Sequence, residues 1–433
     1  RPAPERAERT PACGHGVERV EGAGGDEHPF SVEEQERTFA DKGEPDSFKR
    51  GFHLVSSGLR SVTGHCLFEV GDDVGRVFDA DNVGFVDLTC GGGSCLLGYA
   101  NQYVLDAVRK ATTLGLASGF ASTAEVELAE ACSEFLPNYA PWVFTSSETE
   151  AFELALRFCR RHTGRMRLVV FDGNRSGAVE TLQVIPGGPV GLSLPKISGL
   201  LPELARTVRV VPWGNAEALG RVLEEVGVDT AAVLLDPIAS QFGVIPPDPG
   251  FLQKVRELTR NVGALLVLDE TLTGFRVDRG GANQAFHIDA DVLVLGGVLG
   301  GGVSSLGAVA FAKHLEVTVA EEVAPPPSPL AVSAAVATLS VLRNDAGYLR
   351  LEERSVQLET GVQALAEKFE RPLRVNRVGS IFSFSFSRQG VRDAASAAAS
   401  DQATYRRFYE AVKDNGALLP AKSPAPAFLS LAH

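Results

Sequence analysis

The chain has 433 residues, 44% hydrophobic and 22% charged, more than one small core needs, so two intimate domains are expected. Forty-one basic against 54 acidic side chains leave a net charge of −13 and no basic stripe, which argues against a nucleic-acid partner. The longest apolar runs, at 293–302 and 231–235, fall far short of a bilayer span and no apolar signal core precedes them, so a cytoplasmic protein off the membrane is expected.

Six cysteines (Cys13, Cys66, Cys90, Cys95, Cys132, Cys159) are too scattered for a disulfide framework, and free thiols are expected. Cys90 and Cys95 flank a glycine run but lack two further ligands, so no metal site is predicted. Residues 1 to about 29 carry Arg, Pro, Glu and Gly without apolar periodicity and read as a mobile tail. Short apolar runs at 66–70, 76–80 and 84–88, broken by Gly and Asp, predict a small antiparallel sheet. Ser122 with Glu125 is a capping-box signature opening a helix that ends by Pro137.

From 140 to 312 the pattern alternates. A helix through Phe152 to Arg161 precedes strand-like runs at 168–171, 208–211, 231–236, 264–270, 292–295 and 307–312, with helices at Ala216 to Val226 and Pro249 to Val262 between some of them. Unbroken apolar strands joined by helices predict an α/β fold with a mostly parallel sheet covered on both faces. Ligands in such sheets collect beyond the carboxyl ends of strands, which makes Asp236 and Asp269 candidates. For Asp236, followed by Pro237, a turn-capping role is an equal alternative. Prolines at 325–327 and 329 separate a C-terminal segment of further helix and strand.

The stretches ALLVLDETLTGFR at 264–276 and DADVLVLGGVLGGGVSSLGAVAF at 289–311 resemble the core of the class III aminotransferases, and most of all the glutamate-1-semialdehyde aminomutase branch. GLRSVTG at 58–64, FTSSETEAFELALRFCRRHTGR at 144–165, GVIPPDPGFLQKVRELT at 243–259 and FLSLAH at 428–433 extend the similarity. It implies fold type I: a mostly parallel central sheet flanked by helices, and a smaller α+β domain built from both ends of the chain. The implied organisation is a tail at 1–45, small-domain segments at 46–105 and 321–433, and the large α/β domain at 106–320. A homodimer with a small-molecule substrate is implied too.

The resemblance brings pyridoxal phosphate with it, a cofactor that needs a lysine, a phosphate loop, a stacking ring and a pyridine-nitrogen partner. The lysine position falls on Gly297, after Leu295 and Gly296, and none of the nine lysines sits beside that glycine run. In the phosphate loop, Ser146 to Ala151, Glu148 replaces a glycine. Two like unit charges about 4 Å apart cost on the order of 4 kcal/mol at an effective dielectric of about 20. Arg175 and Ser176 stand where a tyrosine and a histidine are implied, and Ala324 where a phosphate-binding threonine is; Asp269, the pyridine-nitrogen partner, is kept.

On this reading the cofactor site is dismantled, no cofactor is expected, and the cleft performs cofactor-independent acid/base chemistry: isomerisation, dehydration or cyclisation of a small polar metabolite in bacterial specialised metabolism. Asp269, Glu148 and Arg175 are the predicted catalytic residues, and Arg60, Ser147, Thr149, Ser176 and Asp236 the predicted substrate contacts. Arg175 and Glu148 equally suit a mutual salt bridge. Two further readings stand beside this one: a non-catalytic partner of an active aminotransferase, and a transaminase or aminomutase with lysine-free chemistry.

Overall fold

The computed structural model describes residues 68–70, 75–79, 81–115, 120, 122–174, 177–188, 191–303, 306–318 and 326–433. Contacts divide the chain into Arg1–Ser57 and Gly58–His433, and every described residue falls in the second unit.

Strands β1 (Phe68–Val70), β2 (Arg76–Asp79) and β3 (Gly84–Asp87) form the expected antiparallel meander. Helices α1 (Gln102–Leu114) and α2 (Thr123–Phe135) follow, the second opened by the Ser122–Glu125 capping box. Next come β4 (Tyr139–Thr145), α3 (Glu148–Thr163), β5 (Arg167–Phe171) and the hairpin of β6 (Val184–Pro186) and β7 (Ser193–Pro195). Then β8 (Val208–Val211), α4 (Ala216–Val226), β9 (Thr230–Leu235), α5 (Phe251–Val262), β10 (Leu265–Glu270), β11 (Val292–Leu295) and β12 (Gly307–Ala312) complete the alternating region. The C-terminal part holds α6 (Pro329–Leu342), α7 (Ala346–Lys368), β13 (Leu373–Val378), β14 (Ile381–Phe386), α8 (Gln402–Asp414), β15 (Ala417–Leu418) and β16 (Ala427–Phe428).

The central sheet has seven strands in the order β4-β12-β11-β10-β9-β5-β8. β11, β10, β9, β5 and β8 run parallel, and β12 runs against both its neighbours. Every residue of β9, β10, β11 and β12 is buried, because helices cover both faces, and alternate residues feed two separate cores. Leu265 and Val267 pack on the α3 side with Phe152 and Phe158, whereas Leu266 and Leu268 face the other side. The C-terminal part joins the first small sheet through β15, which pairs parallel with β3, and β13-β14-β16 form a second small sheet.

Arg276 ties that second sheet to the Cys90–Cys95 loop. Its buried guanidinium donates to Ser380 Oγ (3.0 Å), Leu429 O (2.8 Å) and Gly93 O (2.5 Å), and lies 5.1 Å from the centre of the Phe428 ring. Cys90, Cys95, Cys132 and Cys159 are free and buried. Among the described residues no helix is long and apolar enough to cross a membrane.

Candidate active site

Parallel strands place their carboxyl ends along one edge, and there β9, β10 and β11 meet the start of α3. Asp269 lies on β10 opposite Val294 of β11, on the same face as Val267. Its Oδ1 accepts from the Thr271 N–H (3.0 Å) and hydroxyl (2.6 Å), a local turn that fixes the carboxylate as the strand ends. Asp236 follows β9 one register step beyond the Leu235–Leu268 pair, which sets it beside Asp269.

Both oxygens of Asp236 are engaged: Oδ1 accepts from the Ile238 N–H (3.0 Å), and Oδ2 from the Ser240 N–H (2.9 Å) and hydroxyl (2.5 Å). These are turn-capping contacts. The same residue is pushed up to about 6, first by burial and then by the charge of Asp269, with the Ser240 and Ile238 donors pulling the other way. Glu270, on the opposite face, is raised by burial to about 7 and accepts from Thr273 Oγ1, Ala282 N and Asn283 N. Asp172, just beyond β5, is half-buried and raised by burial, offset by the Gly173 N–H and by Lys196.

Across the edge, Ser147 caps α3 by accepting from the Glu150 N–H (3.2 Å), and Glu150 turns back to the Ser146 N–H (2.9 Å) and hydroxyl (2.6 Å). Thr149 Oγ1 accepts from the Ala178 N–H (3.2 Å). Glu148 reaches over the turn after β11, where its Oε1 accepts from the Gly297 N–H at 2.8 Å. That turn requires glycine twice. A Cβ on Gly296 would lie 2.3 Å from Glu148 Cγ; Gly297 has φ of +50° and a Cβ there would lie 2.3 Å from Thr271 O.

Of the predicted residues, the structure thus brings together Asp269 with Asp236, and Glu148 with Gly297, and puts Ser147 at the N-cap of α3 and Thr149 in its first turn. Arg60, Arg175, Ser176 and Ala324 lie outside the described residues, and with them the Glu148–Arg175 pairing. Thr271 and Ser240 escaped the sequence reading, although a hydroxyl residue two or four positions after an aspartate is a recognisable turn pattern. No group of three or more metal-ligating side chains occurs among the described residues.

The family profile for aminotransferase class-III matches residues 63–425. The chain belongs to the class-III aminotransferases. It is 36% identical over 397 residues to the glutamate-1-semialdehyde 2,1-aminomutase of Thermomicrobium roseum, covering 89% of this chain and 91% of that one. The aminomutase of Persephonella marina is 33% identical over 391 residues, 88% and 91% of the two chains. Among solved structures, an omega-transaminase from Sphaerobacter thermophilus superposes with a TM-score of 0.82 at 24% identity over 92% and 95% of the chains. A glutamate-1-semialdehyde aminomutase from Pseudomonas aeruginosa gives 0.77 at 24% identity over 87% and 86%. The fold is therefore the fold type I aminotransferase fold with its large mixed sheet.

This kinship corrects the expectation of a cofactor-independent lyase or isomerase. Relatives 32–36% identical over nearly the whole chain carry the aminomutase name, so transaminase-type activity and pyridoxal phosphate are what the family implies, not cofactor-free acid/base chemistry. Kinship over about nine-tenths of the chain outweighs the altered contacts at Glu148 and Gly297. Tested against the geometry, the edge fits the group in part. Asp269 is buried and held where the resemblance puts the pyridine-nitrogen partner. At 297, by contrast, Thr271 O stands where a side chain would begin, so the turn as folded does not fit a pyridoxal phosphate linked to that residue.

Proposed function

We propose that the chain performs the amino-group chemistry of its family, as an aminomutase or transaminase on a small amino-acid-like substrate, without a Schiff-base lysine at position 297. The observation that carries this reading is the 36% identity with an aminomutase over 397 residues, a span that includes the Asp269 strand end. Glutamate 1-semialdehyde, named for those relatives, is the first substrate to try. In this reading the chain's own groups orient and tune. Thr271 holds the Asp269 carboxylate, and Asp236 beside it raises the cost of a second negative charge on that edge. A cytoplasmic homodimer without nucleic-acid partners belongs to the same proposal.

Incubating purified protein with glutamate 1-semialdehyde and pyridoxamine phosphate, and assaying for the amino-migrated isomer, tests it. Migration faster than in a protein-free control supports the reading; a rate equal to the control removes it. Gly297 favours one second reading, a chain that pairs with an active aminotransferase without reacting itself, because a Cβ there would crowd Thr271 O at 2.3 Å. That reading predicts a monomer that associates only with an active relative.

A further inference from the structure

An α-helix N-terminus directed at the carboxyl edge of a parallel sheet attracts anions, since its first N–H groups lack intrahelical partners and its dipole is positive there. In this chain the first residue of the 16-residue α3 is itself an acid, and its carboxylate turns onto the facing loop to accept the Gly297 N–H at 2.8 Å. The neighbourhood is shaped around it. A Cβ on Gly296 would stand 2.3 to 2.7 Å from Glu148 Cγ, Oε1 and Cδ, and one on Gly307 would meet Ser147 O at 2.4 Å. Glu150, two residues on, shows the contrast: its carboxylate folds back on Ser146 and serves its own helix end.

We infer that Glu148 sets the ligand specificity of this edge. Its carboxylate lies beside the start of α3, bonded to the Gly297 N–H, and adds a negative charge that a ligand's phosphate at that helix end would meet. The consequence is discrimination against phosphate relative to the same ligand without one, imposed by a single side chain. For the identity of the ligand this rests on the amino-group reading above; the discrimination itself does not need turnover.

The test is binding, by calorimetry or equilibrium dialysis, of pyridoxamine 5′-phosphate and of unphosphorylated pyridoxamine to wild type, Glu148→Gln, Glu148→Ser and Glu150→Gln. Glu148→Gln keeps an acceptor for the Gly297 N–H and removes the charge, so the affinity ratio of phosphorylated to unphosphorylated ligand is expected to rise about tenfold or more. Glu148→Ser, which vacates the space, gives at least as large a rise and covers the case in which the glutamine form misfolds. Glu150→Gln leaves the ratio near wild type. An unchanged ratio in both Glu148 variants, or an equal rise in Glu150→Gln, overturns the inference. A raised ratio in the Glu148 variants together with no amino migration in wild type overturns the amino-group reading alone.

Discussion

Asp236 and Asp269 end neighbouring parallel strands one register step beyond the Leu235–Leu268 pair, two buried acids side by side on the edge where ligands of such sheets bind. Asp236 is pushed up first by burial and then by the neighbouring Asp269.

A pH dependence of stability follows. Asp236 is raised to about 6 and Glu270 to about 7, each above the ordinary carboxylate range. A raised acid binds its proton more tightly in the folded chain, so its contribution is fully present below about pH 4 and is lost as pH rises through about 6 to 7. Urea unfolding at pH 5 and pH 8 is expected to show this component falling with pH. Glu270→Gln should lower stability at pH 5, because an amide cannot accept all three Glu270 donors, and flatten the slope. An unchanged slope contradicts the assignment.

Gly297→Ala places a methyl against Thr271 O in a left-handed backbone conformation, and a loss of about 2 kcal/mol or more is expected. Gly297→Lys begins with the same Cβ and carries the same penalty. Denaturation midpoints equal to wild type would show that the turn relaxes freely.

How much of this was legible beforehand varied with the range of the interaction. The runs at 231–236 and 264–270 announce buried strands because both their faces are covered, and Ser122 with Glu125 announces a helix start because a capping box is local. β4 was missed: it is an edge strand paired to β12 alone, half-buried in its middle and interrupted by Pro141. β15 is two residues long and exists through its pairing with β3, some 330 residues away in sequence. Asp269 was legible from the rule for sheet edges, whereas the Glu148–Gly297 bond joins residues 149 apart, and nothing local says where that carboxylate goes.

Arg276 is expected to be the costliest polar contact of the second small sheet to remove. Burial lowers it to about 10, and its loss leaves Leu429 O, Gly93 O and Ser380 Oγ without their donor. Arg276→Met should cost about 3 kcal/mol or more. Arg276→Lys, which reaches fewer of these acceptors, should cost less. A neutral methionine variant in thermal unfolding would contradict this role.

Light scattering on the purified chain checks its assembly. A homodimer is expected; a monomer that dimerises only when mixed with an active class-III aminotransferase supports the partner reading instead.

The amino-group reading is tested most directly by following labelled nitrogen in glutamate 1-semialdehyde, with pyridoxamine phosphate present, in wild type and Asp269→Asn side by side. Migration of the label in wild type, and a fall of about 10² or more in the isosteric variant with its fold intact, is the predicted result, since that change replaces the carboxyl group that Thr271 holds in place. Label that stays put in wild type, or moves equally fast in both proteins, would contradict it.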